Sequence, residues 1–349
     1  MRLTAPFVIA GLAIVAAPAV AQDERPRTVL RDLARALKPG AYQGRNNGPD
    51  QTERFSRKVK IGRDGRFSLS NIAGDILVTG GTGDEVSIEA VKRTRGDRSE
   101  LARVQITVDD RAGRVDVRTE HEQNRRDRNR QSDHVSVDYT VVVPASASVD
   151  LHSISGAVKV TGVHGSLRAE AISGNVTITD APRLEAAKTV SGNVSLTGIA
   201  SDGDLSASSI SGNVTAKGVK ARGLDLGIIS GDIHVSEVTC DRLGVKSVSG
   251  SVEYAGAIVK GGRYEINTHS GTVRLLLANP AGFDLNANSF SGSIRSELPL
   301  TIGGDSPRRE GSPRGRRDAV NNHSMRATFG DGSATLVVRT FSGDIIITR

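Results

Sequence analysis

The chain has no tryptophan, and aromatic residues make up only 3% of its 349 positions. Platforms on which bases or sugar rings stack are therefore scarce. Cysteine occurs once, at Cys240, which excludes an intramolecular disulfide even in a compartment that would permit one. Stability has to come from backbone ladders and packing, and Cys240 reads as an ordinary packed or loop residue rather than a reactive thiol. Beyond the apolar run from Leu3 to Ala17 no stretch is apolar enough to cross a bilayer, which takes roughly 20 residues. The 7 histidines are scattered, with no HExxH or Cys–His spacing, and no Walker-type glycine loop occurs. Neither a metal, nor a cofactor, nor a catalytic residue is expected. His269 stands where related positions are apolar and is expected to be a satisfied core histidine.

Residues 1–21 read as a secretory signal. Arg2 supplies the positive start, and Ala19-Val20-Ala21 supplies the small-residue cleavage site, so the mature chain is expected to begin at Gln22. Residues 22–54 form a polar linker with one short amphipathic helix between Pro26 and Lys38. In it Leu30, Leu33, Ala34 and Leu37 share a face that would pack over an exposed end of the main body. The formal net charge is +7. A basic exported protein points to an anionic envelope polymer or lipid head group, or to another envelope protein, rather than to nucleic acid. Membrane contact would be peripheral.

Residues 55–148 alternate like strands. Val104–Val108 and Val115–Val117 are joined by a hairpin-type turn at Asp110–Gly113, and Ser99–Arg103 suits one helical turn. The charged run from His121 to His134 carries Arg125, Arg126, Arg128 and Arg130. It is expected to be a solvated hairpin loop before the strand that starts at Val135.

From Val149 a repeat takes over. Ile154-Ser155-Gly156, Ile172-Ser173-Gly174, Val190-Ser191-Gly192, Ile210-Ser211-Gly212, Ile229-Ser230-Gly231 and Val248-Ser249-Gly250 are its clearest copies. His269-Ser270-Gly271, Phe290-Ser291-Gly292 and Phe341-Ser342-Gly343 continue it, and Ile72-Ala73-Gly74 is a degenerate early copy. From Ser155 to Ser291 the spacings of 18 to 21 residues mean one supersecondary unit per repeat, each stacked on the next. Apolar residues recur seven and five positions before each glycine, and two, four and seven positions after it. With the apolar residue before Ser, that gives about six inward positions per unit, two on each of three short strands. The fold class is all-β: a single-stranded parallel β-solenoid (β-helix) of about ten turns, a rod about 45–50 Å long at the usual strand spacing. Handedness is open, with right-handed winding the expectation. Six buried apolar side chains contribute roughly 9–18 kcal/mol per turn, while fixing about 19 residues costs on the order of 1–2 kcal/mol each. A lone turn therefore fails, and stacking is obligatory.

Glycine suits the corner because it tolerates positive φ. The apolar residue before Ser is expected to point inward. The serines would form a hydroxyl ladder, with Asn175, Asn193 and Asn213 as an amide ladder beside it and Asp75, Asp232 and Asp344 in the same slot. Residues 303–318 interrupt the repeat. Their Gly, Pro, Ser and Arg content, with Arg308, Arg309, Arg314, Arg316 and Arg317, reads as a disordered basic insert. Phe341-Ser342-Gly343 then closes the chain as the last turn. The arginines of the two basic stretches are the candidate anion contacts.

An alternative is a polysaccharide-acting β-helix enzyme. Glycoside hydrolysis needs two carboxylates about 5–9.5 Å apart, so paired acids should recur in one outward column. They do not: Glu170 stands between His152 and Lys188, and Glu253 between His234 and Arg274. Only loop acids such as Asp202 and Asp204 could approach one another. A further alternative is an envelope-stress accessory acting through a partner.

The stretch from Phe67 to Gly80, the run Val141–Pro144 leading into the first turn, and the Ser-Gly-Asn/Asp-Val/Ile turns ending in Thr340–Ile345 resemble the DUF4097 family. These are bacterial β-solenoid proteins provisionally named adhesins, related to the head domains of GIN-type adhesins. The resemblance covers roughly residues 55–349 and implies an exported, non-enzymatic envelope protein, adhesin-like or a structural rod, in the periplasm or at the cell surface.

Overall fold

Each Ser-Gly corner separates two strands that alternate apolar and polar residues, so that one face of each lines a common interior. Around Gly174, Leu167–Ser173 leads in and Val176–Thr179 leads out. The first of these pairs in parallel with Ser148–Ser155 on one side and Leu184–Ser191 on the other. The second pairs with Val158–Thr161 and Val194–Thr197. Repetition of this scheme gives one large, mostly parallel sheet with a wall of longer strands before the corners and a wall of shorter strands after them. The computed structural model describes residues 51–121, 135–278, 280–302 and 323–349. The expected secretory signal, the expected N-terminal helix and both arginine-rich stretches fall on residues outside those described.

Two strands per turn, rather than three, is the rule. The third side is a tight bend in which Gly162, Gly198 and Gly218 take φ of +70°, +61° and +62°. The third side becomes extended and pairs near Lys220–Ala221 and Thr239–Cys240, with Ala200 bridged to Lys220 beside them. There Ile233–Ser249 runs as a single strand through the bend.

The interior follows the expected columns closely. Leu167, Ala169, Val176, Ile178 and Ala181 of one turn are all fully buried. Two positions depart: Ala257 and Ala278 are exposed, and Ile258 and Leu277 fill the interior instead. Both belong to the longest turns, where the bend shifts phase. Tyr254 and Tyr264 occupy the core there, edge-on with centroids 6.2 Å apart. Their hydroxyls donate to the carbonyls of Ala257 and Cys240 at 2.9 and 2.8 Å. Cys240 is buried beside them.

The corner glycines have two duties. Gly212 sits at φ +139°, and a Cβ there would overlap the carbonyl oxygen of Gly192 in the turn below. Positive φ and close approach together exclude a side chain. The serine rung is made by the backbone: the Gly192 N–H donates to the Ser211 carbonyl at 2.9 Å. Among the described residues no hydroxyl of this serine row bonds the next, so the expected hydroxyl ladder does not form. The Asn/Asp ladder does, with a different rung. The Asn213 N–H donates to Asn193 Oδ1 at 2.8 Å, and the Asp232 N–H to Asn213 Oδ1 at 2.9 Å.

Chain order and stacking order part at both ends. Arg66–Ala73 lies between Arg114–His121 and Ser148–Ser155. Ala334–Ser342 lies between Arg263–Ser270 and Phe283–Ser291. The last turn of the chain is therefore not the last turn of the stack. Outside it, Phe283–Ser291 pairs antiparallel with Ser324–Phe329. The helical turn Arg98–Leu101 and the hairpin Val104–Arg111 with Arg114–His121 form as expected. The strands flanking 122–134 are not a hairpin. Arg114–His121 pairs in the long-strand wall, whereas Ser136–Pro144 pairs with Ile76–Gly81 in the other.

Candidate functional site

Alternation along the long strands decides which side chains reach solvent. In Leu167–Ser173, Leu167, Ala169 and Ala171 point in, so Arg168, Glu170 and Ile172 point out. The apolar residue before each corner serine is thus exposed, contrary to the inward expectation. The physical reason lies one position earlier. Ser153, Thr189, Ser209, Ser247, Thr268 and Ser289 are buried despite being polar. The hydroxyls of Thr189, Ser209 and Ser289 donate to the carbonyls of Gly174, Gly192 and Gly343, each at 2.9 Å. A buried hydroxyl satisfied in this way costs little, and its inward placement turns the next residue out.

The result is a ribbon on the long-strand wall. Ile72, Ile154, Ile172, Val190, Ile210, Ile229 and Val248 follow one another rung by rung, and His269, Phe341 and Phe290 complete it. The Ile and Val rungs from Ile154 to Val248 are 42 to 52% exposed, and Phe290 reaches 72%. His269 is exposed, not a core histidine. Its ring stacks on Phe341 at 4.9 Å and 7°, and Phe341 stacks on Phe290 at 4.8 Å and 5°. Towards the N-terminal end of the stack the ribbon borders a shallow groove of about 550 Å³, with His152, Glu170 and Lys188 on its polar side.

The polar columns set histidines beside carboxylates and arginines beside aspartates. His152 lies 3.2 Å from Asp150 and 3.7 Å from Glu170, and His234 lies 3.4 Å from Glu253. Asp204 accepts from Arg222 and Arg242, both at 3.1 Å. The Arg222 hydrogen bond leads in holding its carboxyl below the usual range. Such a group stays ionised at neutral pH and has no proton to give. No cluster of three or more potential metal ligands occurs among the described residues.

The nine candidate arginines, Arg125, Arg126, Arg128, Arg130, Arg308, Arg309, Arg314, Arg316 and Arg317, all lie outside the described residues. Their setting is informative through charge. The described residues carry 30 Lys and Arg against 29 Asp and Glu, whereas the remaining segments carry 16 against 10. The described body is therefore nearly neutral, and the basic excess belongs to the segments beyond it.

No curated protein matches the chain. Solved structures similar to the chain at low identity include the following three. A protein of Bacteroides fragilis provisionally named an adhesin is 12% identical, covering 85% of this chain and 97% of its own, with a TM-score of 0.44. A protein of Parabacteroides distasonis provisionally named lipid binding is 12% identical, covering 87% and 98%, at 0.35. A protein of Clostridium sporogenes provisionally named for cell adhesion is 8% identical, covering 85% and 99%, at 0.25. Likeness at this level says nothing about what this chain binds. The model of the Toastrack DUF4097 family, in contrast, matches residues 75–348, most of the sequence and nearly all of the stack. The chain belongs to the Toastrack DUF4097 family.

Proposed function

We propose that the protein is an exported, non-enzymatic component of the cell envelope: a rigid single-chain rod whose basic segments contact anionic envelope polymers in an adhesin-like or structural role. One observation carries this reading. The described body is charge-balanced, while the excess of positive charge is concentrated in segments attached to it. A neutral scaffold with basic appendages binds polyanions through the appendages, with affinity that falls as salt rises. Right-handed winding accompanies this reading, because parallel strands joined by crossovers overwhelmingly take that hand.

The test is capture from intact envelope fractions at low and high salt, using the full chain and a variant lacking residues 122–134 and 303–322. Retention by the full chain that weakens with salt, and is largely lost in the variant, is the expected result. Equal, salt-independent retention of both would reject the basic segments as contacts. Release of reducing ends from a polysaccharide panel would reject the non-enzymatic assignment.

A further inference from the structure

The ribbon is an unpartnered apolar face, and its geometry says what fits it. Ten rungs at about 4.8 Å make a strip about 43 Å long. Its Ile and Val side chains from Ile154 to Val248 are about half exposed and sit on strands rather than on loops. Most are Ile or Val, which are stiff at χ1 and lose little entropy on being covered. A surface with this period is matched most simply by another of the same period. We propose that the ribbon is a self-association surface, on which a second copy of this chain packs face to face and antiparallel about a two-fold axis through Ile210.

That register keeps most of the ribbon covered, and charge suits it. The outward column beside the ribbon contains Glu170, Lys188, Ser208, Gly227 and Lys246 on five successive turns. With the axis at Ile210, Glu170 of each copy faces Lys246 of the other. Lys188 faces Gly227, which has no side chain to oppose it, and Ser208 faces itself. Moving the axis half a rung towards Ile229 would set Lys188 against Lys246. In the ribbon, Val190 then meets Ile229 of the second copy, and Ile172 meets Val248. A strip about 12–15 Å wide covers roughly 600 Å² on each copy, or about 1,200 Å² in all, the lower edge of specific interfaces. An interface of that size suits a reversible, concentration-dependent dimer.

Sedimentation of the full chain from about 1 μM to about 0.5 mM tests the proposal. Association is expected, weakened about tenfold or more by Ile210→Lys. Glu170→Lys and Lys246→Glu should each weaken it, and the double exchange should restore it. A short bis-maleimide should link Ser208→Cys into a covalent dimer, because the new thiols face each other across the axis at about the 10 Å spacing of packed sheets, too far for a disulfide, and Cys240 is buried. Ser195→Cys, on the opposite wall, should not cross-link. Circular dichroism of each variant verifies the fold. A monomer throughout the range, association indifferent to Ile210→Lys, or no rescue by the double exchange would overturn the proposal. So would the absence of a Ser208→Cys dimer, or flotation of a monomeric wild type with phosphatidylcholine–phosphatidylglycerol vesicles that Ile210→Lys abolishes. None of these readouts depends on envelope binding.

Discussion

Gly343 stacks directly on Gly271: a Cβ on Gly343 would collide with the Gly271 carbonyl oxygen, and a Cβ on Gly292 would collide with that of Gly343. The residue order 271, 292, 343 thus becomes the stacking order 271, 343, 292. Residues 334–348 are the end of the chain but an interior rung of the stack. Their amides should exchange with solvent as slowly as those of Val245 or Ile266, which pair in the same wall. Fast exchange, as at a frayed terminus, would contradict this placement.

Two glycines of one turn separate backbone strain from close approach. Gly212 has φ +139° and no room above the Gly192 carbonyl, whereas Gly218 has φ +62° and no atom nearer than 3.8 Å to an added Cβ. Gly218→Ala should cost about 1–2 kcal/mol, the usual cost of a left-handed residue. Gly212→Ala must in addition push two turns apart and should cost about 3 kcal/mol or more. Urea unfolding of both variants measures the difference, and equal costs would rule out the close-approach argument.

Asn193 works through its carbonyl oxygen, which accepts the Asn213 N–H, while its own N–H donates to Asn175 Oδ1. Asn193→Ala should lose about 1 kcal/mol. Asn193→Asp keeps the acceptor and should lose much less, as Asp232 already serves the same rung with Ser251 at 2.8 Å. Equal losses in the same unfolding measurement would show that the rung is not set by the acceptor.

High pH should weaken the fold. Burial, the largest cause in each case, pushes the Cys240 thiol and the Tyr139 and Tyr264 phenols up to about 12, from ordinary values of 9.0 and 10.0. The unfolded chain gives up these protons first, so the native state holds more protons between about pH 9 and 12. Stability must fall as pH rises through that window and stay flat with respect to these groups below it. Each group contributes a slope approaching 1.4 kcal/mol per pH unit, as an order of magnitude. Urea midpoints measured from pH 7.5 to 10.5 give the sign, and a rising midpoint would contradict it. By the same reasoning Cys240 should react with a disulfide reagent only after unfolding.

Much of the architecture was legible because it is periodic. The columns containing Leu167, Ala169, Val176 and Ile178 recur at fixed distances from each glycine, and burial follows them. The ribbon was misread because Ser153, Thr189 and Ser209 look like surface residues. Glycine carbonyls, of a neighbouring turn for Thr189 and Ser209 and of its own corner for Ser153, let those hydroxyls lie inside, and no linear reading displays them. Alternation from Leu151 was the available signal, since it places Ser153 in and Ile154 out. The displaced end turns were hidden for another reason. Ala334–Ser342 has the same sequence character whichever turn it meets, so its position depends on where the antiparallel strand Ser324–Phe329 leaves room. Among the candidate contacts, sequence alone located the excess charge, and the folded body adds that it is itself neutral.

The inserted turns also bear on how the molecule is assembled. An inner turn such as that at Gly192 can form as soon as its predecessor exists, so the middle of the stack can grow as the chain emerges. The turn at Gly74 cannot be enclosed until residues 114–144 have arrived, and the pair at Gly271 and Gly292 stays open until the final residues slot between them. Both ends are thus fastened by chain made later than the turns it locks. Truncation by a few C-terminal residues removes a rung from within, and gain or loss of whole repeats is tolerable only in the middle.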